Sequence, residues 1–168
     1  CDTKTPQGIA AVVRITEVEL KGKRLVAMDG VQDPGNVGTI WRTADAFGAS
    51  GLILCNSCDP WNPKVVRATM GAVFRCPVWT CDADALRTLL TASELPLYGA
   101  ALRADTLEAR TVDYSRCAIA IGSEGKGLSE AMLDRCDQTV LIPMQAHCES
   151  LNAAIAATVL LWEAARND

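Results

Sequence analysis

Cys117-Ala118-Ile119-Ala120-Ile121-Gly122-Ser123-Glu124-Gly125-Lys126-Gly127 is a short apolar run that stops at a glycine and opens into a loop of glycines and charges. Such a run, ended by glycine, reads as a strand buried in a sheet. Similar runs at Leu25 to Asp29, Gly51 to Cys55, Leu97 to Leu102 and Thr139 to Ile142 alternate with segments of helical period. That alternation predicts an α/β domain, a mostly parallel sheet flanked by helices. Asn36 is placed to cap a helix ending near Gly48, which puts Arg42 in its second turn. Asn62-Pro63 is a cap followed by an N1 proline, Asp82 caps another helix, and Ser129 a short one through Arg135. Ser150 is placed to cap a last helix, from Leu151 to about Arg166. It is apolar around most of its circumference, so burial in a core or between subunits is expected.

Residues 1–23 read as a lead-in: Thr5-Pro6-Gln7-Gly8, a β-rich run, then the basic cluster Lys21, Lys23, Arg24. The domain proper is expected over 24–168. The opening Cys1-Asp2-Thr3-Lys4 has no initiator Met and no basic-then-apolar leader, so a piece of a larger protein without a secretory signal is expected. Hydrophobic content of 49% with 21% charge is that of a globular chain, and no apolar run is long enough to span a bilayer. A net charge of -4 excludes a uniformly basic nucleic-acid surface. Residues 1–75 carry nine Lys/Arg against seven Asp/Glu, and 76–168 seven against thirteen, so any RNA contact belongs to the first half. The eight cysteines are scattered apart from Cys55-Asn56-Ser57-Cys58, and His147 is the single histidine. Reduced thiols are expected, with no metal site.

Three loops each follow a predicted strand at its carboxyl end, where open α/β sheets bind ligands. The first runs from Asp33 through Asn36 to Arg42. The second, Gly122 to Ser129, looks like a phosphate loop, but Gly125-Lys126 is followed by Gly127 where a P-loop needs Ser or Thr. No G-x-G-x-x-G follows the first strand, so the dinucleotide reading fails too. The third, Ile142-Pro143-Met144-Gln145-Ala146-His147-Cys148-Glu149-Ser150-Leu151-Asn152, sets polar groups beside an apolar wall, which suits adenosine. Each loop taken alone is also explained as a turn and a helix cap.

In order and together, Asn36 with Arg42, Gly122 to Gly127, and Ile142-Pro143-Met144 with Ser150-Leu151-Asn152 resemble the three signature motifs of the SpoU/TrmH RNA methyltransferases. The resemblance extends over residues 5–165, including Thr5 to Gly8 and Asn62-Pro63-Lys64 to Phe74. It implies an α/β fold with a deep C-terminal trefoil knot, which a general rule against knots would not suggest. It also implies a cytoplasmic homodimer that moves a methyl group from S-adenosylmethionine to a ribose 2′-hydroxyl of rRNA or tRNA. Gly122, Ile142 and Leu151 would hold adenosine through backbone groups, with Leu102 and Met144 nearby. Asn36, Arg42, Glu124, Ser150 and Asn152 would form the catalytic set, with RNA phosphates on Arg42, Lys64, Arg67 and Arg75. Many relatives carry a small RNA-binding domain at the N-terminal side, and one is expected here. Ala146 and Ala153-Ala154 depart from the common pattern, so a hydrogen bond to the cofactor or to Asn152 is expected to be absent.

A guanidinium rarely gives up its proton, so Arg42 is read as an electrostatic group and not a base; His147 is a weaker candidate for the base. At Gly122 any Cβ is expected to intrude on the ligand, so Gly122→Val should abolish binding and leave the fold intact. Competing readings are a knotted base methyltransferase and a silent RNA-binding or dimerisation module.

Overall fold

The computed structural model describes residues 8, 11–16, 22–148 and 150–166. Most of the expected lead-in, including Thr5 to Gln7 and Lys21, lies outside them. Residues 11–16 carry no strand and are exposed. Arg24 is not part of a surface cluster: it begins the first strand and is 1% exposed.

Seven strands form one sheet: β1 (Arg24–Asp29), β2 (Gly51–Cys55), β3 (Val78–Thr80), β4 (Leu97–Ala100), β5 (Leu107–Glu108), β6 (Cys117–Gly122) and β7 (Gln138–Leu141). Their order is β3-β2-β1-β6-β4-β7-β5, and every named pair is parallel. The central β1 is buried at all six positions, as a parallel strand covered on both faces must be. Val26 and Met28 point into one core with α1 (Pro34–Ala46) and α5 (Ala153–Ala165); Leu25 and Ala27 point into the other with α3 (Ala83–Ala92) and α4 (Glu130–Leu133). Helix α2 (Pro63–Ala68) packs on α1. The result is a three-layer α/β/α domain.

Several boundaries differ from expectation. Asp33, not Asn36, caps α1: its carboxylate accepts from Asn36 N at 2.9 Å, and Pro34 follows at N1. Arg42 therefore falls in the third turn, and the Asn36 side chain is released for another task. Asn152, not Ser150, caps α5, accepting from Ala154 N at 2.9 Å and Ile155 N at 3.2 Å. Asn62, Asp82 and Ser129 cap their helices as expected, though α4 ends at Leu133. Strand β4 stops at Ala100, which leaves Leu102 in the following loop. Helix α5 buries Ala153, Ala154, Ala157, Leu160, Leu161 and Ala164, while Ile155, Val159 and Trp162 stay in solvent. The described cysteines are free, and burial pushes the Cys76 and Cys117 thiols up to about 12, so they behave as inert apolar residues.

Candidate functional site

At the carboxyl end of the sheet, loop 30–33 leaves β1 and is pinned to the loop after β2. Gly30 N donates to Cys55 O (2.9 Å), Val31 N to Ser57 Oγ (3.0 Å), and Cys58 N to Val31 O (3.0 Å). This fixes where α1 starts, and so where Asn36 stands. The glycine loop leaving β6 closes on itself: Ser123 N donates to Gly127 O at 3.1 Å and Gly127 N to Ser123 O at 2.8 Å, with Gly127 at φ +67°. Its far end is held by Asp29, a buried residue that sequence reasoning passed over, whose carboxylate accepts from Ser129 N at 2.7 Å. The turn leaves Glu124 exposed at its tip.

Three residues from three loops meet there. Asn36 Nδ2 donates to Glu124 Oε1; Asn152 Nδ2 lies 3.2 Å from Asn36 Oδ1 and 3.2 Å from the same Glu124 oxygen. Asn152 Oδ1 is already committed to the start of α5, so its amide is oriented by the backbone and in turn orients the other two. Glu124 Oε2 has no hydrogen-bond partner among the described residues. The cluster is thus an ordered polar group with one carboxylate oxygen open to an incoming donor.

Arg42, two turns along α1 from Asn36, is exposed and makes no ion pair among the described residues. Neither Ser150 nor His147 bonds to the cluster among them; both are exposed. Lys64 and Arg67 are exposed on α2, whereas Arg75 donates from Nε (2.9 Å) and Nη2 (2.5 Å) to Asp45. Ala153 and Ala154 are buried, and the bond from residue 154 to Asn152 comes from the Ala154 backbone N at 2.9 Å.

The residues expected at the cofactor sit on or just after the neighbouring strands β6, β4 and β7, and before α5. Leu102 is 80% exposed, Met144 and Leu151 are also open, and Ile142 is half-buried. The main-chain amides of Leu102, Met144 and Leu151 have no partner among the described residues. Open apolar side chains beside unused backbone donors are what a purine nucleoside requires, so the residues fit such a group. Two surface concavities, one at Tyr114 and Glu163 and one at Asp84 and Arg87, lie away from these loops and from this chemistry. What excludes a side chain at Gly122 differs from expectation: an added Cβ would stand 2.1 Å from Gly127 C and 2.2 Å from Leu128 N. It would strike the loop's own backbone, so glycine is required there by the fold whatever lies outside.

The profile of the SpoU rRNA Methylase family matches residues 23–162. A 23S rRNA (guanosine(2553)-2'-O)-methyltransferase from Bacillus subtilis is 35% identical over 96% of this chain and 66% of its own length. A 23S rRNA (uridine(2479)-2'-O)-methyltransferase from Streptomyces viridochromogenes is 38% identical over 84% of the chain and 52% of its own. An AdoMet-bound rRNA methyltransferase from Sinorhizobium meliloti superposes with a TM-score of 0.82 at 37% identity, covering 89% of this chain and 59% of that one. The chain therefore spans between about half and two thirds of the relatives it matches.

Proposed function

The chain belongs to the SpoU rRNA methylase family, and from that membership we propose that it transfers a methyl group from S-adenosylmethionine to a ribose 2′-hydroxyl of rRNA or tRNA. The observation that carries this reading is the meeting of Asn36, Glu124 and Asn152. A 2′-hydroxyl is a weak nucleophile, so the protein's main task is alignment. Glu124 Oε2 accepts the hydroxyl hydrogen and fixes the direction of attack, while Asn36 and Asn152 hold Glu124 still. Arg42 holds the adjoining phosphate and stabilises the alkoxide as it develops; its guanidinium stays protonated. Ser150 positions the same ribose from the third loop. Backbone groups at Gly122, Ile142 and Leu151 hold the adenosine, with Leu102 and Met144 against its apolar faces. The cofactor, when bound, supplies the activated methyl group.

The same reading includes a trefoil knot at the C-terminal end, a cytoplasmic location and an RNA-binding unit joined through the 1–23 lead-in. No helix among the described residues is long and apolar enough to cross a membrane. It also includes a homodimer. The open Ile155, Val159 and Trp162 repeat at helical spacing on α5, and Trp162 stacks edge-on against Phe47 at 5.7 Å. Calorimetric titration with S-adenosylmethionine tests the proposal: saturable binding to one site per chain is expected, and no heat at millimolar cofactor would overturn it.

A further inference from the structure

The sixteen residues from Pro60 to Arg75 carry three cations, Lys64, Arg67 and Arg75, and no Asp or Glu, in a chain of net charge -4. The same stretch leaves Phe74 73% and Met70 69% exposed, with Trp61 partly open. Apolar side chains of that size are commonly turned inward. Here the backbone turns them out. Met70 and Gly71 adopt φ 49° and 90° in succession, a left-handed corner that a non-glycine residue enters at a cost of about 1 kcal/mol or more. Thr69 and Ala72 on either side are fully buried, so the corner is fixed with Met70 outside.

The segment is bound along one stripe of α1. A Cβ on Gly38 would stand 2.4 Å from the Ala68 side chain and 2.8 Å from Val65 O, so the two helices touch through that glycine. Trp41 packs edge-on to Trp61 at 6.2 Å and donates from Nε1 to Cys76 O at 2.8 Å, which brings both ends of the segment to one indole. Asp45 holds Arg75. Arg42 is four residues from Gly38 and three from Asp45, so it rises on the same flank. Arg42 therefore stands on the flank of α1 to which this segment is bound.

We propose that Phe74, Met70 and Trp61 form a stacking surface for unpaired RNA bases next to the reacting nucleotide, with Lys64 and Arg67 on the phosphates between them. Cations beside open aromatic and thioether side chains suit single-stranded RNA, whose bases offer faces to stack and whose backbone offers charge. A second copy of this chain fits poorly, because a two-fold contact would set these cations near their own counterparts. The inference rests on the reading of the chain as acting on RNA.

Fluorescence anisotropy with a labelled single-stranded oligouridine of about 12 nucleotides, within the range such surfaces cover, provides the test. Phe74→Ala should weaken binding by about tenfold without changing its salt dependence, since what is lost is stacking. Phe74→Tyr should restore it and Phe74→Leu should not. Lys64→Ala and Arg67→Ala should each reduce the salt slope by about one. Unchanged affinity in Phe74→Ala, full rescue by leucine, or no binding by the unaltered chain would overturn the proposal. So would a smaller mass for Phe74→Ala in light scattering, which would make the face a subunit contact. Titration with S-adenosylmethionine separates the two failures: cofactor binding without base stacking removes this surface alone, and stacking without cofactor binding removes the methyltransferase reading alone.

Discussion

Carboxylates at the two ends of the sheet are finished in opposite ways. At the amino end Asp137 takes Arg87 Nη1 on one oxygen (2.7 Å), Nη2 on the other (2.9 Å), and Leu97 N as well (2.8 Å). The backbone there is equally occupied, Cys117 N donating to Lys23 O and Ala118 N to Pro96 O. At the carboxyl end Glu124 receives Asn36 and Asn152 on one oxygen and keeps the other open, while nearby amides lack partners among the described residues. A saturated carboxylate stabilises the fold, and a half-saturated one held by rigid neighbours is available to a substrate. The difference leaves the carboxyl end as the one with groups open to a substrate.

The largest expected effect lies at the open end. Asn36→Ala and Arg42→Ala should each lower methyl transfer by ~100-fold while cofactor affinity, measured by calorimetry, stays nearly unchanged. An equal loss of affinity would place these residues at the cofactor instead. Gly122→Val comes next. Because the new side chain meets Gly127 and Leu128, the thermal midpoint should drop by roughly 5–10 °C, from the 1–3 kcal/mol typical of overpacking. An unchanged midpoint with cofactor binding abolished would restore the ligand-contact explanation. Glu124→Gln should cost transfer as much as Asn36→Ala does, ~100-fold, and leave the melting curve in place, since the group is exposed.

Asp137→Asn is the mirror image and the smallest effect: transfer unchanged, and stability reduced by about 1 kcal/mol at neutral pH, after discounting for a partly exposed pair. The hydrogen bond from Arg87 holds the Asp137 carboxyl below the usual carboxylate range. Its contribution is therefore complete above the unfolded pKa of about 3.9 and is lost as pH falls through the lower folded value. Melting curves of the two proteins should converge in acid below that range; a gap that persisted there would show that the ion pair is not its source.

What the sequence disclosed follows from how local each signal is. Leu25 to Met28 of β1, and strands β2 and β6, are apolar without interruption because both faces are covered, and this is visible in any short window. The edge strands β3 and β5 are two or three residues long, with little burial, and leave no such trace. At the site, the residue types were legible and the partners were not. Asn36 before a helix reads as a cap, and only the fold shows that Asp33 does the capping and that Asn36 answers Glu124, 88 positions away. Asp29 looks like the end of a strand until Ser129, 100 positions on, is found bonded to it. Gly122 was legible as a glycine that had to be one, but its reason is a contact with Gly127 and Leu128 that no spacing rule reveals.

The central claim is that the open end of the sheet directs a methyl group to a ribose oxygen. Incubating unmethylated ribosomal and transfer RNA with the protein and methyl-deuterated S-adenosylmethionine, then digesting to nucleosides for mass spectrometry, tests it most directly. The account predicts the label on the ribose 2′-oxygen, with Asn36→Ala reducing it by ~100-fold. Label on a base, or none from a chain that binds the cofactor, would contradict it.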